Sequence, residues 1–267
     1  MSNYRSTFSV NGTQLDQLPT RWVSDAQKLH GPENISMAQV TLPGRSGELP
    51  IPSTRTFGAS TWTLDMVVTG VTYPDMMKNK AALEGLLSPA SSLVTITETM
   101  KDNSGKGVLT LSTQGYLVSA DQAQPWNSPD DGVDLHYEFR IPSGVWSEPR
   151  KTVSVSTGSY SPQEFTGGSA PQTDVQVKVG SIAPGGSITI SSSASGSAVM
   201  TYKNDSDHVQ SNIVINTGRN EALANGTRVS NYLRTSHRGF YLGTDGKFTI
   251  SGSGFSGATV TSSRSWF

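Results

Sequence analysis

The sequence predicts a mainly β protein that contains one helix. Apolar and polar residues alternate over many short segments, turn-forming residues separate those segments, and a single stretch shows helical spacing. Alternation with a period of two gives a strand one buried and one solvent-facing side. Short strands at close intervals are typical of β-sandwiches and barrels. The length of 267 residues favours two such domains over one.

The first strands form a predicted hairpin. Asn11-Gly12 lies between Phe8–Val10 and Thr13–Leu15, and both turn residues tolerate the positive φ that a two-residue turn needs. The longest alternating segments are Trp62–Val68 and Val133–Ile141, in which every second residue is apolar. Further strands are predicted over residues 35–42, 92–98, 107–118, 175–179, 187–190, 198–202, 212–216, 239–242, 247–251 and 258–262.

One helix is predicted over residues 74–87. Pro74 suits an early helical position because its missing N–H costs little there, and Asp75 suits the positive helix start. Ser88-Pro89 ends the helix because the residue before a proline avoids the helical region. We interpret its apolar face as a core face that covers a sheet rather than a cofactor box. That face comprises Met76, Asn79, Leu83, Leu86 and Leu87.

A domain boundary is predicted within residues 143–155, giving domains at 1–150 and 151–267. The composition shifts there towards Gly, Ser and Thr, and Ser191–Ser197 is interpreted as a loop. Residues 1–150 carry 11 Lys+Arg and 15 Asp+Glu, a net charge of -4. Residues 151–267 carry 9 and 6, a net charge of +3, so opposite charge favours association only mildly.

Composition argues against several classes of protein. Charged residues make up 15% of the chain and the net charge is -1, whereas proteins that grip nucleic acid or anionic membranes usually show a basic excess. The absence of cysteine excludes disulfides, zinc–thiolate sites and cysteine nucleophiles. Residues 1–5 lack the order of a secretory signal, and no apolar run is long enough to span a bilayer.

Enzyme signatures are absent from the sequence, which contains no P-loop, no Gly-x-Ser-x-Gly and no His-Glu-x-x-His. Gly252–Gly257 matches a dinucleotide-binding fingerprint, but that mechanism needs a helix directly afterwards. A strand is predicted there instead, so we interpret the segment as a glycine-rich hairpin. We therefore predict a non-enzymatic protein with no catalytic, cofactor-binding or metal-ligating residues, although a triad assembled through the fold stays open.

Two polar clusters have alternative interpretations. Asp134, His136 and Glu138 share one strand face and offer metal ligands at i, i+2 and i+4. They lie opposite a complete apolar face, which favours a solvated or subunit-facing surface. A basic cluster could contact nucleic acid or an acidic partner, but the overall charge favours a solvated or subunit-facing patch. That cluster comprises Arg228, Arg234, His237 and Arg238; the other histidines are His30 and His208.

Aromatic residues are frequent in the second half, where aromatic faces beside polar groups would suit glycan binding. Large aromatics also supply much of the core in small β domains, and we favour that interpretation. These residues are Tyr160, Phe165, Tyr202, Tyr232, Phe240, Tyr241, Phe248, Phe255, Trp266 and Phe267.

The order of these features resembles the distal tail proteins of siphophages. The first half resembles their N-terminal domain in Phe8–Gly12, Trp22-Val23, Pro43–Gly47, Trp62–Val68, Tyr73–Leu87 and Leu135–Ile141 leading into Trp146. The second half resembles their galectin-like β-sandwich in Ile213–Thr217, Gly239–Leu242, Lys247–Gly252 and a terminal aromatic strand. It departs in its high glycine and serine content, and in Ile215-Asn216, where an Ile-Asp pair is more usual.

The resemblance implies a tail-tube-like β-sandwich or split barrel with one helix, followed by a galectin-like β-sandwich. It implies a structural virion protein, made in the host cytoplasm, that forms a hexameric ring at the phage tail tip. Implied partners are the tail tube protein, the tail-associated tip protein and the tape measure protein, with DNA passing through the lumen without specific binding. The helix and the Pro43–Gly47 loop would lie near ring contacts.

Alternatives stay open at this point. The chain could be a glycan-binding receptor module of the tail tip, a tail tube protein with an appended β domain, or a hydrolase assembled from scattered residues.

Overall fold

The computed structural model describes two compact units. The described residues are 5–26, 35–36, 39–41, 48–50, 56–89, 93–102, 107–122, 132–192, 194, 199–235 and 240–267. Unit 1 comprises Met1–Glu148 with Phe267, and unit 2 comprises Pro149–Trp266. The fold is mainly β, and the described residues include one α-helix, so the predicted fold class is confirmed.

Unit 1 contains a large antiparallel sheet. Its described elements are β1 (Arg5–Val10), β2 (Thr13–Gln14), β3 (Arg21–Ala26), β4 (Ile35–Ser36), β5 (Gln39–Thr41), β6 (Glu48–Pro50), β7 (Thr56–Phe57), β8 (Ser60–Val68), α1 (Tyr73–Leu87), β9 (Val94–Lys101), β10 (Gly107–Gln122), β11 (Val133–Ile141) and β12 (Trp146–Ser147). The strand order is β2-β1-β9-β10-β11-β8-β3, and β12 pairs with β10. Two short ribbons, β4–β7 and β5–β6, contain the described residues of the strand predicted over residues 35–42.

The predicted first hairpin is confirmed. Val10 pairs with Thr13, and the turn residues Asn11 and Gly12 have φ of 50° and 80°. Asparagine and glycine are the residues that adopt this left-handed region most readily. The side chain of Asn11 then accepts a hydrogen bond from the backbone N–H of Thr95 at 2.9 Å, which ties the turn to β9.

One strand belongs to both halves of the sheet in unit 1. β10 pairs with β9 over Gly107–Gly115 and with β11 over Tyr116–Gln122. The ladder with β11 contains a register shift between Leu117 and Ser119. Bulges of this kind bend a strand and increase its twist, which lets one strand turn from one partner to the next.

An aromatic cluster forms the centre of the core of unit 1. The ring of Trp62 lies 5.6 Å from that of Phe8, 5.6 Å from that of Phe139 and 5.7 Å from that of Trp146. All four side chains are buried. Tilted and edge-on contacts at these distances stabilise aromatic pairs beyond simple area burial.

The helix begins one residue before its predicted start and ends at the predicted Leu87. Thr72 precedes it, and the Thr72 hydroxyl accepts a hydrogen bond from the backbone N–H of Asp75. A threonine in this position satisfies one of the free N–H groups at a helix start. Of the predicted face, Met76, Leu83 and Leu87 are buried, which supports the core interpretation. No helix within the described ranges is long and apolar enough to cross a membrane.

Unit 2 is a sandwich of two antiparallel sheets. Its strands are β13 (Lys151–Val155), β14 (Gly158–Tyr160), β15 (Gln176–Ile182), β16 (Ser187–Ser192), β17 (Val199–Lys203), β18 (Gln210–Asn216), β19 (Glu221–Ala224), β20 (Thr227–Arg228), β21 (Leu233–Thr235), β22 (Phe248–Ser253), β23 (Ala258–Ser262) and β24 (Ser265–Trp266), with a 3₁₀ turn at Ser230–Tyr232. One sheet has the order β13-β23-β15-β18-β19-β20, and the other has the order β14-β22-β16-β17-β21. Inward side chains from both sheets form one hydrophobic core.

Two sequence predictions in unit 2 are wrong in detail. Residues 240–242 form no regular strand, since only Leu242 makes an isolated bridge, to Gln172. Phe240 and Leu242 are instead anchored by burial in the core. The strand predicted after Gly252–Gly257 is β23, but this segment is no hairpin. It connects β22 to β23 across the two sheets, because these strands do not pair with each other.

Two glycines, one just before α1 and one within it, have different surroundings, which predicts opposite effects when each is replaced by alanine. A Cβ at Gly70 would lie 2.2 Å from the backbone nitrogen of Met76, whereas a Cβ at Gly85 in the helix meets nothing within 4 Å. Gly70→Ala should therefore lower the free energy of unfolding by about 1–3 kcal/mol through overpacking. Gly85→Ala should raise it by about 0.5–1 kcal/mol through helix propensity. Urea unfolding followed by circular dichroism measures both, and a stable Gly70→Ala variant would contradict the close packing.

Two buried tyrosines provide a second matched pair. Among the described buried side chains, only the hydroxyl of Tyr137 has no hydrogen-bond partner, and burial raises its pKa, with a smaller contribution from Glu84. The Tyr202 hydroxyl donates to the side chain of Gln210. Tyr137→Phe should leave the free energy of unfolding unchanged or slightly raised, whereas Tyr202→Phe should lower it by about 1 kcal/mol. If urea titrations show that Tyr137→Phe lowers the free energy of unfolding as much as Tyr202→Phe does, the Tyr137 hydroxyl has a hydrogen-bond partner after all.

Candidate assembly surfaces

A row of charged side chains crosses the outer face of the sheet in unit 1. The strand register places Asp25 opposite Asp65, Asp65 opposite His136, and His136 opposite Asp121. Directly opposite residues on one face lie about 5 Å apart at their Cβ atoms. We call these four residues the His136 row. The His136 Nδ1 atom lies 2.5 Å from the Asp65 Oδ1 atom, and these two side chains are 42% and 44% exposed.

The predicted grouping of Asp134, His136 and Glu138 on one strand face is correct, because their neighbours in β11 are all buried. The structure adds three aspartates from neighbouring strands. No group of three or more His, Cys, Asp or Glu side chains among the described residues has the geometry to hold a metal ion. The surface is a carboxylate-rich face, on which five carboxylates outnumber the basic side chains of His136 and Arg140.

A first apolar patch surrounds the start of α1. We call it the helix-start patch; it comprises Leu18 (73% exposed), Val71 (84%), Tyr73 (52%) and Met77 (42%). The turn that carries Leu18 is held beside the end of β8 by two hydrogen bonds from Thr69. The Thr69 N–H donates to the Thr20 carbonyl at 2.9 Å, and its hydroxyl donates to the Pro19 carbonyl at 2.5 Å. Two loops thus build one surface.

A second apolar patch lies where β10 changes partner. We call it the strand-switch patch; it comprises Leu93 (44% exposed), Tyr116 (46%) and Val118 (56%). Val94 pairs with Gly115, so Leu93 lies beside Tyr116 at the start of β9. Val118 occupies the register shift in the ladder between β10 and β11. The bulge therefore points a large apolar side chain at solvent.

The two patches lie at opposite ends of the same pair of strands. The helix-start patch follows Val68, the last residue of β8. Tyr116 pairs with Arg140, and Arg140 pairs with Thr61 near the first residue of β8. The seven residue steps from Thr61 to Val68 span about 23 Å of extended strand. Unit 1 therefore presents two separate apolar surfaces rather than one continuous surface.

Unit 2 exposes little apolar surface. Val209, which is 59% exposed, is the only large hydrophobic residue that is exposed within its described part. The outer face of the six-stranded sheet has a shallow depression of about 490 Å³. Its outward side chains include Ser154, Lys178, Asn212 and Thr259, and no aromatic residue lines it. The outward side chain of Val214 also lines it, so the depression combines polar and apolar surface.

The predicted aromatic residues of unit 2 belong mainly to its core. Phe165, Tyr202, Phe240 and Phe248 are buried, while Tyr160, Tyr232 and Phe255 pack against the same core. The Tyr160 ring stacks on that of Phe248 at 5.4 Å, beside a second depression of about 430 Å³. The Tyr160 hydroxyl also accepts a hydrogen bond from the Ser156 N–H at 2.7 Å, which fixes the ring in place. The core interpretation is therefore supported.

The predicted basic cluster does not form a continuous patch among the described residues. Arg228 approaches Glu221 at 3.9 Å, and Arg234 donates to backbone carbonyls of Asn231 and Leu233. His208 is exposed in a separate loop. Three other sequence predictions fall outside the described residues: His30, His237 with Arg238, and the Pro43–Gly47 loop.

Comparison with known proteins shows the fold. No protein-family model matches the sequence, and no curated protein matches it. The Dit protein (gp 19.1) of phage SPP1, described as a paradigm of the hub adsorption apparatus in phages that infect Gram-positive bacteria, is 16% identical with a TM-score of 0.68. The alignment covers 98% of this chain and 100% of Dit. The two proteins thus share a fold over their whole lengths.

Two other structures are less similar. A chain of the phage P2 baseplate in its activated conformation with calcium is 10% identical with a TM-score of 0.48, covering 97% of this chain and 98% of that chain. A chain of the sheath–tube complex of an extracellular contractile injection system is 14% identical with a TM-score of 0.32, covering 52% and 85%.

The exposure of the His136 row predicts that it contributes little to folding. His136→Gln should change the free energy of unfolding by less than about 1 kcal/mol, as is usual for exposed ion pairs. Arg21 provides the contrast, because it is buried and its Nε donates to the buried Leu15 carbonyl at 2.9 Å. Arg21→Ala should lower the free energy of unfolding by about 2 kcal/mol or more. If urea unfolding shows that His136→Gln lowers the free energy of unfolding as much as Arg21→Ala does, the His136 row stabilises the sheet and is not primarily a contact surface.

Proposed function

We propose that this chain is a structural subunit of a phage tail tip, where it forms a ring that connects the tail tube to the host-attachment apparatus. The observation that carries this proposal is the fold shared with the SPP1 Dit hub protein over the whole of both chains. The order of sequence features supports the same family independently of the coordinates. In this proposal unit 1 forms the ring, and unit 2 is a galectin-like β-sandwich.

The surface of unit 1 supports an assembling role. Monomeric proteins rarely expose several large apolar side chains in one place, and such patches usually mark interfaces. Seven of the exposed large hydrophobic residues in the described chain lie in unit 1 and one lies in unit 2. Subunits of a closed ring use two different surfaces, each facing a different neighbour. Unit 1 has two such surfaces, whereas unit 2 has none of comparable size among its described residues.

Electrostatics are consistent with a conduit for DNA. The His136 row and its neighbours Asp134 and Glu138 offer five carboxylates and one histidine on a single face. The carboxylates outnumber the two basic side chains of this face, His136 and Arg140, so DNA phosphates would be repelled overall and DNA would pass without being held. We propose that this face borders the lumen, with tail tube protein, tape measure protein and tail-associated tip protein as the remaining partners.

Binding of a host-surface glycan is the second candidate function. The depression on the six-stranded sheet of unit 2 favours it, because hydroxyl, amide and ammonium groups line it beside apolar side chains. The arrangement of the aromatic residues weighs against it. All described aromatic side chains of unit 2 are buried or partly buried, which limits the ring surface that is open for stacking on a sugar.

The mass of the purified protein in solution tests the ring. We expect light scattering to give about six times the chain mass of 28.4 kDa, and negative-stain images of that peak to show a ring with a central hole. A monomer at all concentrations, both alone and mixed with purified tail tubes, would overturn the proposal. Spontaneous growth of long tubes would instead assign the chain to the tail tube itself. Binding to fragments of host cell wall by a monomer would favour the glycan function.

A further inference from the structure

We propose that the helix-start patch of one copy of this chain packs against the strand-switch patch of the next copy. This inference rests on the ring in the proposed function and specifies the residues that close it. The partner at each patch is a second copy of this chain, and the two patches are the two halves of one repeated contact. Five observations lead to this assignment.

The first observation is the amount of exposed apolar surface. Taking about 200 Å² for a fully exposed large side chain, the helix-start patch exposes roughly 500 Å² and the strand-switch patch roughly 300 Å². A stable interface buries about 800 Å² on each partner, of which the centre is apolar and the rim polar. Each patch is therefore large enough to be the centre of such an interface, and too small to be the whole of it.

The second observation is position. The patches lie about 23 Å apart, at opposite ends of β8 and β11. An isologous dimer covers both patches only if both face the same neighbour, whereas a heterologous ring covers each patch with a different neighbour. The separation therefore favours head-to-tail contact between successive copies.

The third observation is charge beside the strand-switch patch. Arg140 lies next to Tyr116 across the ladder, and its guanidinium donates to the Thr61 hydroxyl at 3.4 Å. Within the described residues it forms no ion pair with a carboxylate. A cation in this position accepts an acidic partner from a neighbouring subunit.

The fourth observation is the opposite charge beside the helix-start patch. Asp75 lies on the first turn of α1 with its side chain 46% exposed, and its Oδ2 atom accepts a hydrogen bond at 2.7 Å from the hydroxyl of Thr72, the residue next to Val71. Its Oδ1 atom makes a long contact with Lys78, at 3.9 Å, and can therefore pair with a second cation. Contact between the two patches brings Asp75 towards Arg140 of the next copy, whereas contact of the helix-start patch with itself opposes two Asp75 carboxylates. Such charge matching selects the partner surface.

The fifth observation concerns competing surfaces. Within the described part of unit 2, Val209 is the only large hydrophobic residue that is exposed. Unit 2 therefore has no apolar surface to match either patch. Val209 serves below as the control position.

Cross-linking provides the first test, and the absence of cysteine from the chain makes it specific. In rings of the Val71→Cys, Val118→Cys double variant, a short bis-maleimide should produce a covalent ladder that extends to the full ring. The Val71→Cys, Val209→Cys double variant is the matched control and should give no ladder. The same result for both variants, or no ladder from rings seen by microscopy, would overturn the inference while leaving the ring intact.

Mixing of two broken variants provides the second test. Val71→Asp and Val118→Asp should each be monomeric, whereas Val209→Asp should assemble like the unmodified chain. An equimolar mixture of the first two should give a dimer of twice 28.4 kDa, because each retains the patch that the other lacks. Circular dichroism checks that both are folded, as expected for substitutions at exposed positions.

The outcomes separate the inference from the proposed function. If the unmodified chain forms no ring with or without tail tubes, the proposed function fails. If it forms rings and either aspartate variant still does so, or if the mixture stays monomeric, only the patch pairing fails.

Discussion

The register between β8 and β11 is the constraint on which the rest of unit 1 depends. Nine consecutive residues of β11, from Val133 to Ile141, pair with Val68 back to Ser60. Because strand side chains alternate between faces, a shift of β11 by one residue relative to β8 would turn Phe139 outwards and bring His136 into the core. The same register therefore determines both the aromatic core and the carboxylate-rich outer face. Burial of the aromatic cluster is what keeps it in place.

Local sequence patterns account for most of the fold. Alternation located the long strands, Asn11-Gly12 located the hairpin, and proline with apolar spacing located the helix to within one residue. Each of these signals is local, since the residues that carry it are neighbours in the chain. Residues 240–242 show the limit, because a buried Phe240 and Leu242 look like a strand whether or not a second strand pairs with them.

The candidate surfaces were harder to predict because they depend on pairing between distant segments. The sequence placed Asp134, His136 and Glu138 on one face but gave no register for Asp25, Asp65 or Asp121, which reach the same face from other strands. The apolar patches were missed for a related reason. An exposed Val118 is indistinguishable from a buried one until the bulge in β10 is known. The alternating segment Trp62–Val68 did contain one usable signal, because Asp65 belongs to its polar side.

The passage of β10 from β9 to β11 gives unit 1 a mechanical property. The sixteen-residue strand β10 belongs to both halves of the sheet, because it pairs with β9 along its first part and with β11 along its last part. Opening either half therefore breaks hydrogen bonds to a strand that the other half also needs. Segments linked in this way open together as one cooperative unit rather than fraying separately. A pulling force applied at β1 would pass through the hydrogen-bonded strands β9 and β10 to β11 and β8 without crossing a loop. Unit 1 is thus built to transmit load as a single stiff body.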